Sequence, residues 1–262
     1  MFRYLRLYAH FLRFSFGRAM QFRFDFFFRV GMDTLWYAHY LAFFGVLFLH
    51  TERLGGWSRD EARLFAGTLF VCDAVQMTLF SNNLWQFPLA VNRGDLDYHL
   101  VRPVSTLFFV SLRDFAANSF LNLLMAAGVL VWAISVHPTP LPAWRIALFA
   151  AVLPFGILVH YCMQLVFLLP AFWLHSGSGL RDLYWSLDAY TARPVGIFTG
   201  WTRRLLTSLL PLCVVVSFPV RALVDPDPWP AVLQTIAVAA GAFLVLLFVW
   251  RRGLRAYASA SS

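Results

Sequence analysis

Six apolar stretches, each long enough to cross a bilayer, recur along the chain with only short polar links between them. They run over about 26–50, 62–84, 105–135, 144–174, 202–222 and 231–250. A helix needs roughly 20 apolar residues to span the hydrocarbon core. Only helices and closed barrels satisfy their backbone groups there. With 60% hydrophobic and 13% charged residues, against about 25% charged in soluble domains, no water-facing fold covers this surface. The expected fold is all-α: a polytopic integral membrane protein with six transmembrane helices, making one transmembrane domain over 1–262.

Charge sets the orientation. All 21 basic residues are Arg, and the net charge is +8. The arginines sit at the ends of the apolar segments, which is the positive-inside pattern. Regions 1–29, 85–104, 175–204 and 251–262 hold fifteen of them, and the opposite loops hold five, with Arg113 left inside the third segment. Both termini are therefore expected in the cytoplasm, with the protein in a bacterial inner membrane. A nucleic-acid partner is excluded, because no soluble basic face with interleaved aromatics exists. Cys72, Cys162 and Cys213 lie inside apolar segments and read as small hydrophobes. Arg3, Arg6 and Arg13 interrupt any apolar core of a cleavable signal.

Local signals divide the chain further. Arg3, Arg6, His10, Arg13 and Gly17 recur at steps of three and four, with Tyr4, Leu7, Tyr8, Phe11, Leu12 and Phe14 opposite. That stripe predicts an amphipathic helix over 1–25 lying in the membrane interface. Ser58 and Glu61 form a capping box that starts the next helix near Arg59. Residues 85–104 are too polar to span and are bounded by prolines. Ser176 to Gly179 reads as a flexible break, Leu180 to Tyr190 as a short amphipathic helix, and Asp225 to Pro228 as a turn. Gly196-x-x-x-Gly200 has helix-contact spacing, but a single match at a segment end carries little.

Absent motifs narrow the function. Without any Lys the chain cannot form a phosphate-binding loop, so ATP, if used, is bound elsewhere. Zinc and serine-hydrolase signatures are missing. No catalytic or metal-ligating set is expected, and the protein is read as a non-enzyme. The polar residues inside the spans are Asp73, Gln76, Asn118, Asn122, His160 and Gln164. Such residues mark pathways or helix contacts.

Three stretches carry a family resemblance: His50 to Ser58; Arg93-Gly94-Asp95-Leu96-Asp97 with Leu100 and Arg102-Pro103; and Arg251 to Tyr257. In their order and spacing the chain resembles the ABC-2 class of ABC-transporter permeases, in the uncharacterised branch of paired six-span subunits. The resemblance implies a cytoplasmic coupling helix between spans two and three, at 85–104. There Arg93, Gly94, Asp95, Leu96, Asp97, Leu100, Arg102 and Pro103 would meet the ATPase. It implies two ABC ATPase subunits that carry ATP and Mg, a second related permease or a second copy of this chain, and contact with membrane lipids. The implied function is one half of an exporter pathway for an amphiphilic, lipid-linked or drug-like substrate. Many members also carry a re-entrant helix pair between spans five and six. Leu223 to Pro230 is too short for one, so either the pair is reduced or 194–222 is itself partly re-entrant. Two alternatives remain: an ion- or proton-coupled carrier using Asp73 and His160, and a non-transporting membrane scaffold.

Overall fold

The computed structural model describes residues 2–21, 23–174 and 178–257, and their regular structure is helical throughout. In chain order come α1 (Phe2–Gln21), α2 (Arg23–His50), α3 (Arg59–Gln76), a π-helical turn (Met77–Ser81), α4 (Asn82–Arg93), α5 (Asp97–Leu100) and α6 (Thr106–Leu112). Next are α7 (Ala117–Ser135), α8 (Ala143–Leu168), α9 (Ala171–Leu174), α10 (Ser178–Asp188) and a 3-10 turn (Val195–Ile197). The chain ends with α11 (Gly200–Arg204), a second π turn (Leu205–Leu209), α12 (Val214–Val224) and α13 (Trp229–Ala256). Five helical stretches are long and apolar enough to cross a membrane: Phe26–His50, Arg59–Arg93, Ala117–Ser135, Ala143–Leu174 and Trp229–Ala256.

The helix α3 starts where the sequence places it. Ser58 accepts from the Glu61 amide while the Glu61 carboxylate accepts from the Ser58 amide at 2.7 Å. From there it runs through the middle of the bundle, with Leu64, Phe65, Ala66, Phe70 and Cys72 enclosed. Its neighbour α7 crosses at Gly67, where a Cβ would lie 2.9 Å from the Leu130 Cα. The small side chain lets the two backbones meet.

The polar segment 85–104 is more helical than the sequence suggests. One helical rod continues past Pro88 to Arg93, and of the rest of this segment only the single turn α5 is helical. The third span, expected unbroken over 105–135, is broken between α6 and α7. Three amides in the break, those of Asp114, Phe115 and Ala116, have partners. The Asp114 N–H donates to Asn83 Oδ1 at 2.7 Å, that of Phe115 to Ser15 Oγ at 3.2 Å, and that of Ala116 to the Thr78 carbonyl at 3.0 Å. Asn83 also donates back to the Asp114 carbonyl at 2.8 Å. Irregular backbone at membrane depth persists only when it is satisfied by protein in this way. Thr78 lies in the π turn, where the i→i−4 ladder is interrupted.

The fifth span is the largest correction. Residues 202–222 do not run as one straight span; Gly200–Leu209 and Val214–Val224 meet at a bend of 97°. Both ends of this bent pair sit at the same end of the bundle. Gly196 packs backbone to backbone on Gly55, in the α2–α3 loop. At the far end, Arg145 at the start of α8 donates to the carbonyls of Leu223, Asp225 and Pro226. The opposite end holds Phe87, Phe172, Trp250 and Tyr257, whose rings pack together. The chain therefore travels the length of the bundle between Leu174 and Val195, through α10 and the turns after it, and 200–224 is the re-entrant pair. Arg193, Arg203 and Arg204 move with it to the α2–α3 loop end. The arginine balance narrows from fifteen against five to twelve against eight.

At the other end α1 lies across the break. Tyr4 meets Phe108, Phe11 meets Phe109 and Phe16 meets Phe115, with ring centroids 4.9 to 5.4 Å apart. Arg6, His10 and Arg13 are exposed. The Arg3 side chain, most of the expected break at 176–179 and the tail beyond Tyr257 lie outside the described residues.

Candidate functional site

The π turn, the broken third span and α10 converge on one cavity of about 280 Å³. Its lining comes from α2 (Asp33, Trp36, Tyr37), α3 and the π turn (Asp73, Gln76, Met77, Ser81) and α4 (Trp85). It is completed by α7 (Ser119, Asn122), α8 (His160, Gln164) and α10 (Tyr184, Trp185, Asp188). π turns favour functional sites because the extra residue re-aims side chains; here Met77 and Ser81, at its two ends, both reach the cavity.

Side chains from distant helices fix the walls. His160 Nε2 donates to Asp188 Oδ1 at 2.9 Å, and Tyr184 and Thr191 donate to the same oxygen at 3.2 and 3.4 Å. The His160 bond ties α10 to α8, while Tyr184 and Thr191 orient the same carboxylate from its own segment. The Gln76 amide donates to Gln164 Oε1, and the Asn122 amide to Asp33 Oδ2. Trp85 and Trp185 stack with centroids 5.6 Å apart and planes 8° from parallel. Three buried atoms of this lining have no hydrogen-bond partner: Gln76 Oε1, Asn122 Oδ1 and His160 Nδ1.

Of the six polar span residues singled out in the sequence, five line this cavity: Asp73, Gln76, Asn122, His160 and Gln164. Asn118, on the first turn of α7, does not. Asp33 and Asp188 were passed over. Asp33, Trp36 and Tyr37 share i, i+3, i+4 spacing, a signal that could have found the first. Asp188 was hidden because 175–204, with its short amphipathic helix at Leu180 to Tyr190, counted as a cytoplasmic region. Among the described residues no group of three His, Cys, Asp or Glu could hold a metal ion.

The coupling stretch lies at the end of the rod formed by α3, the π turn and α4. Gly94 ends α4 in the left-handed region, at φ 78°. Its own N–H donates to the Val91 carbonyl and that of Asp95 to the Ala90 carbonyl at 3.0 Å, a glycine-terminated helix end. Leu96 is fully buried and anchors the turn, while Tyr98, Leu100 and Val101 are exposed. Arg93, Asp95, Arg102 and Pro103 are exposed around them and Asp97 is half-buried. A cleft of about 550 Å³ separates this turn from α1 and α6; Arg93, Asp95, His99, Arg102 and Arg113 line it. Burial, then the charges of Arg113 and Arg102, hold His99 below its ordinary value. The Tyr257 hydroxyl at the end of α13 faces Asp97; burial, then that carboxylate, pushes it up to about 12. Two of the stretches that carry the family resemblance thus meet.

Comparison with known proteins gives one match. A family model described as an ABC-2 family transporter protein matches residues 34–261. No curated protein and no solved structure matches the chain.

Proposed function

The chain belongs to the ABC-2 family of transporter proteins, and on that premise we propose that it is the permease subunit of an ATP-driven exporter, worked by a separate ATPase pair. A membrane component of this family implies ABC ATPase partners. The observation that carries the reading is the continuous Arg59–Arg93 rod. One end bears an exposed apolar knuckle, Tyr98, Leu100 and Val101, flanked by charges. Along its length it supplies Asp73, Gln76, Met77, Ser81 and Trp85 to the cavity. A displacement of the knuckle by a closing ATPase would reach the cavity wall through one rigid element. An apolar patch rimmed by polar residues is also the usual form of a docking surface.

In this reading α1 lies in the cytoplasmic interface, both termini are cytoplasmic, and the membrane is a bacterial inner membrane. A second permease, related or identical, completes the pathway. ATP and Mg stay with the ATPase, and this chain contributes no catalytic group. The test is to purify the chain from native membranes and photolabel the preparation with azido-ATP. A labelled partner of ATPase size is expected, and it should be lost from Y98D and V101D variants that still insert. A stable chain that transports with no ATP-labelled partner would sink the proposal. The cluster of Asp73, His160 and Asp188 around one cavity favours a second reading, a proton-coupled carrier. That reading requires transport that survives ATP depletion and collapses with the proton gradient.

A further inference from the structure

We propose that the membrane-embedded cavity binds an organic cation, a protonated amine or quaternary ammonium group carried on an aromatic body. This deepens the permease reading, on which it rests for transport though not for binding. Charge is the first argument. Among the described residues three carboxylates line the cavity, Asp33, Asp73 and Asp188, against His160, and no arginine does. The Arg29 charge reaches Asp33, but from outside the lining. Asp188 is committed to His160, Tyr184 and Thr191. Asp73 makes no hydrogen bond or ion pair among the described residues. An ionisable group inside a membrane domain is costly unless something neutralises it, and a bound cation does so.

Two unpartnered amide oxygens add to this charge. The Gln76 and Asn122 amide nitrogens are spent on Gln164 and Asp33, which leaves Gln76 Oε1 and Asn122 Oδ1 as buried acceptors without donors. Both residues are 3% exposed. An ammonium supplies donors and charge together, whereas an anion would face three carboxylates. The aromatic wall suits the rest of such a ligand. Trp36, Tyr37, Trp85, Tyr184 and Trp185 line it, and aromatic rings attract cations through their quadrupole. The volume, about 280 Å³, is near the lower end for small-molecule pockets, roughly 300 Å³. It takes a compact aromatic amine and not a lipid-linked glycan.

The experiment uses the purified full chain in neutral phosphatidylcholine nanodiscs, titrated with ethidium as cationic probe and anilinonaphthalene sulfonate as anionic probe, with empty discs as blank. Ethidium is expected to bind saturably, and the sulfonate is not. D73N and D33N should each weaken ethidium by at least about tenfold, the loss of one charge-assisted contact. D182N, an exposed carboxylate on α10 outside the cavity, should leave binding unchanged. Should D73N fail to insert, D33N carries the same expectation. The proposal is overturned if ethidium shows no saturable binding above empty discs, if the sulfonate binds as well, or if the inserted cavity variants match wild type. No ATPase enters the assay. Ethidium binding to a chain with no ATP-labelled partner therefore refutes only the permease reading, and a labelled partner without ethidium binding refutes only this one.

Discussion

Replacing Gly94 tests whether the geometry of the knuckle matters to coupling. At φ 78° and ψ 6° the residue sits in the left-handed region, which costs an ordinary L-residue roughly 1–2 kcal/mol and a β-branched one more. G94A should therefore cost about 1 kcal/mol and G94V about 2 kcal/mol. G94N should cost only a few tenths, because Asn tolerates this conformation. The strain has a local outlet. Val91 and Ala90 accept the terminal amides of α4, and giving up those two bonds lets residues 97–103 shift about the buried Leu96 while α3, α7 and α8 stay packed. Thermal stability should consequently change little, and the loss should fall on docking. About 2 kcal/mol corresponds to a roughly 30-fold shift of the equilibrium away from the correctly placed knuckle. The assay is recovery of the ATP-labelled partner, with stimulation of its hydrolysis in proteoliposomes, across the ordered series Gly, Asn, Ala, Val. If G94V recovers as much partner and stimulates as well as wild type, the bent end of α4 plays no part in coupling.

Three further outcomes follow from the fold. D188A strands the donors of His160, Tyr184 and Thr191 at once, and should destabilise the protein by about 3 kcal/mol, read as a lower melting temperature; D188N should cost less. Single cysteines at Arg204 and Arg53 should react with an impermeant maleimide from the same side of the membrane, and a cysteine at Arg102 from the other; labelling of 204 with 102 would restore the straight fifth span. Because His99 is held below 6.5, the unfolded chain takes up this proton more readily than the folded one. The stability due to this group is complete above about pH 6.5 and falls as pH drops towards the folded value. H99Q should thus lose less melting temperature than wild type between pH 7.5 and 5.5, and equal losses would refute the assignment.

Local chemistry in this chain was legible where the partners are close in sequence. The capping box at Ser58 and Glu61 and the glycine end of α4 each depend on three or four neighbouring residues. Polar side chains in otherwise apolar spans were also legible, because few reasons exist for Gln76, His160 and Gln164 to be there. The break at 113–116 was not, although Arg113 and Asp114 stand in it, because the groups that satisfy the amides of Asp114, Phe115 and Ala116 (Asn83, Ser15 and Thr78) are distant in sequence. The fifth crossing was misplaced for a related reason. Apolar content favours 202–222, which the fold bends, and disfavours 178–195, whose Asp188 finds its His160 partner only after assembly. Helix propensity and hydropathy carry no record of His160 waiting across the bundle.

That fifth crossing has a consequence for how the protein is made. A charged residue at mid-bilayer costs a nascent helix about 3 kcal/mol on the insertion scale, so a segment whose cavity-lining Asp188 meets His160 only in the folded bundle partitions poorly into lipid as it leaves the translocon. It must wait at the protein-conducting channel until α3 and α8, already synthesised, offer a polar seam. Biogenesis is then vectorial: weakening the seam on α8 would show first as inverted topology and quality-control degradation, before any defect in the finished protein could be measured.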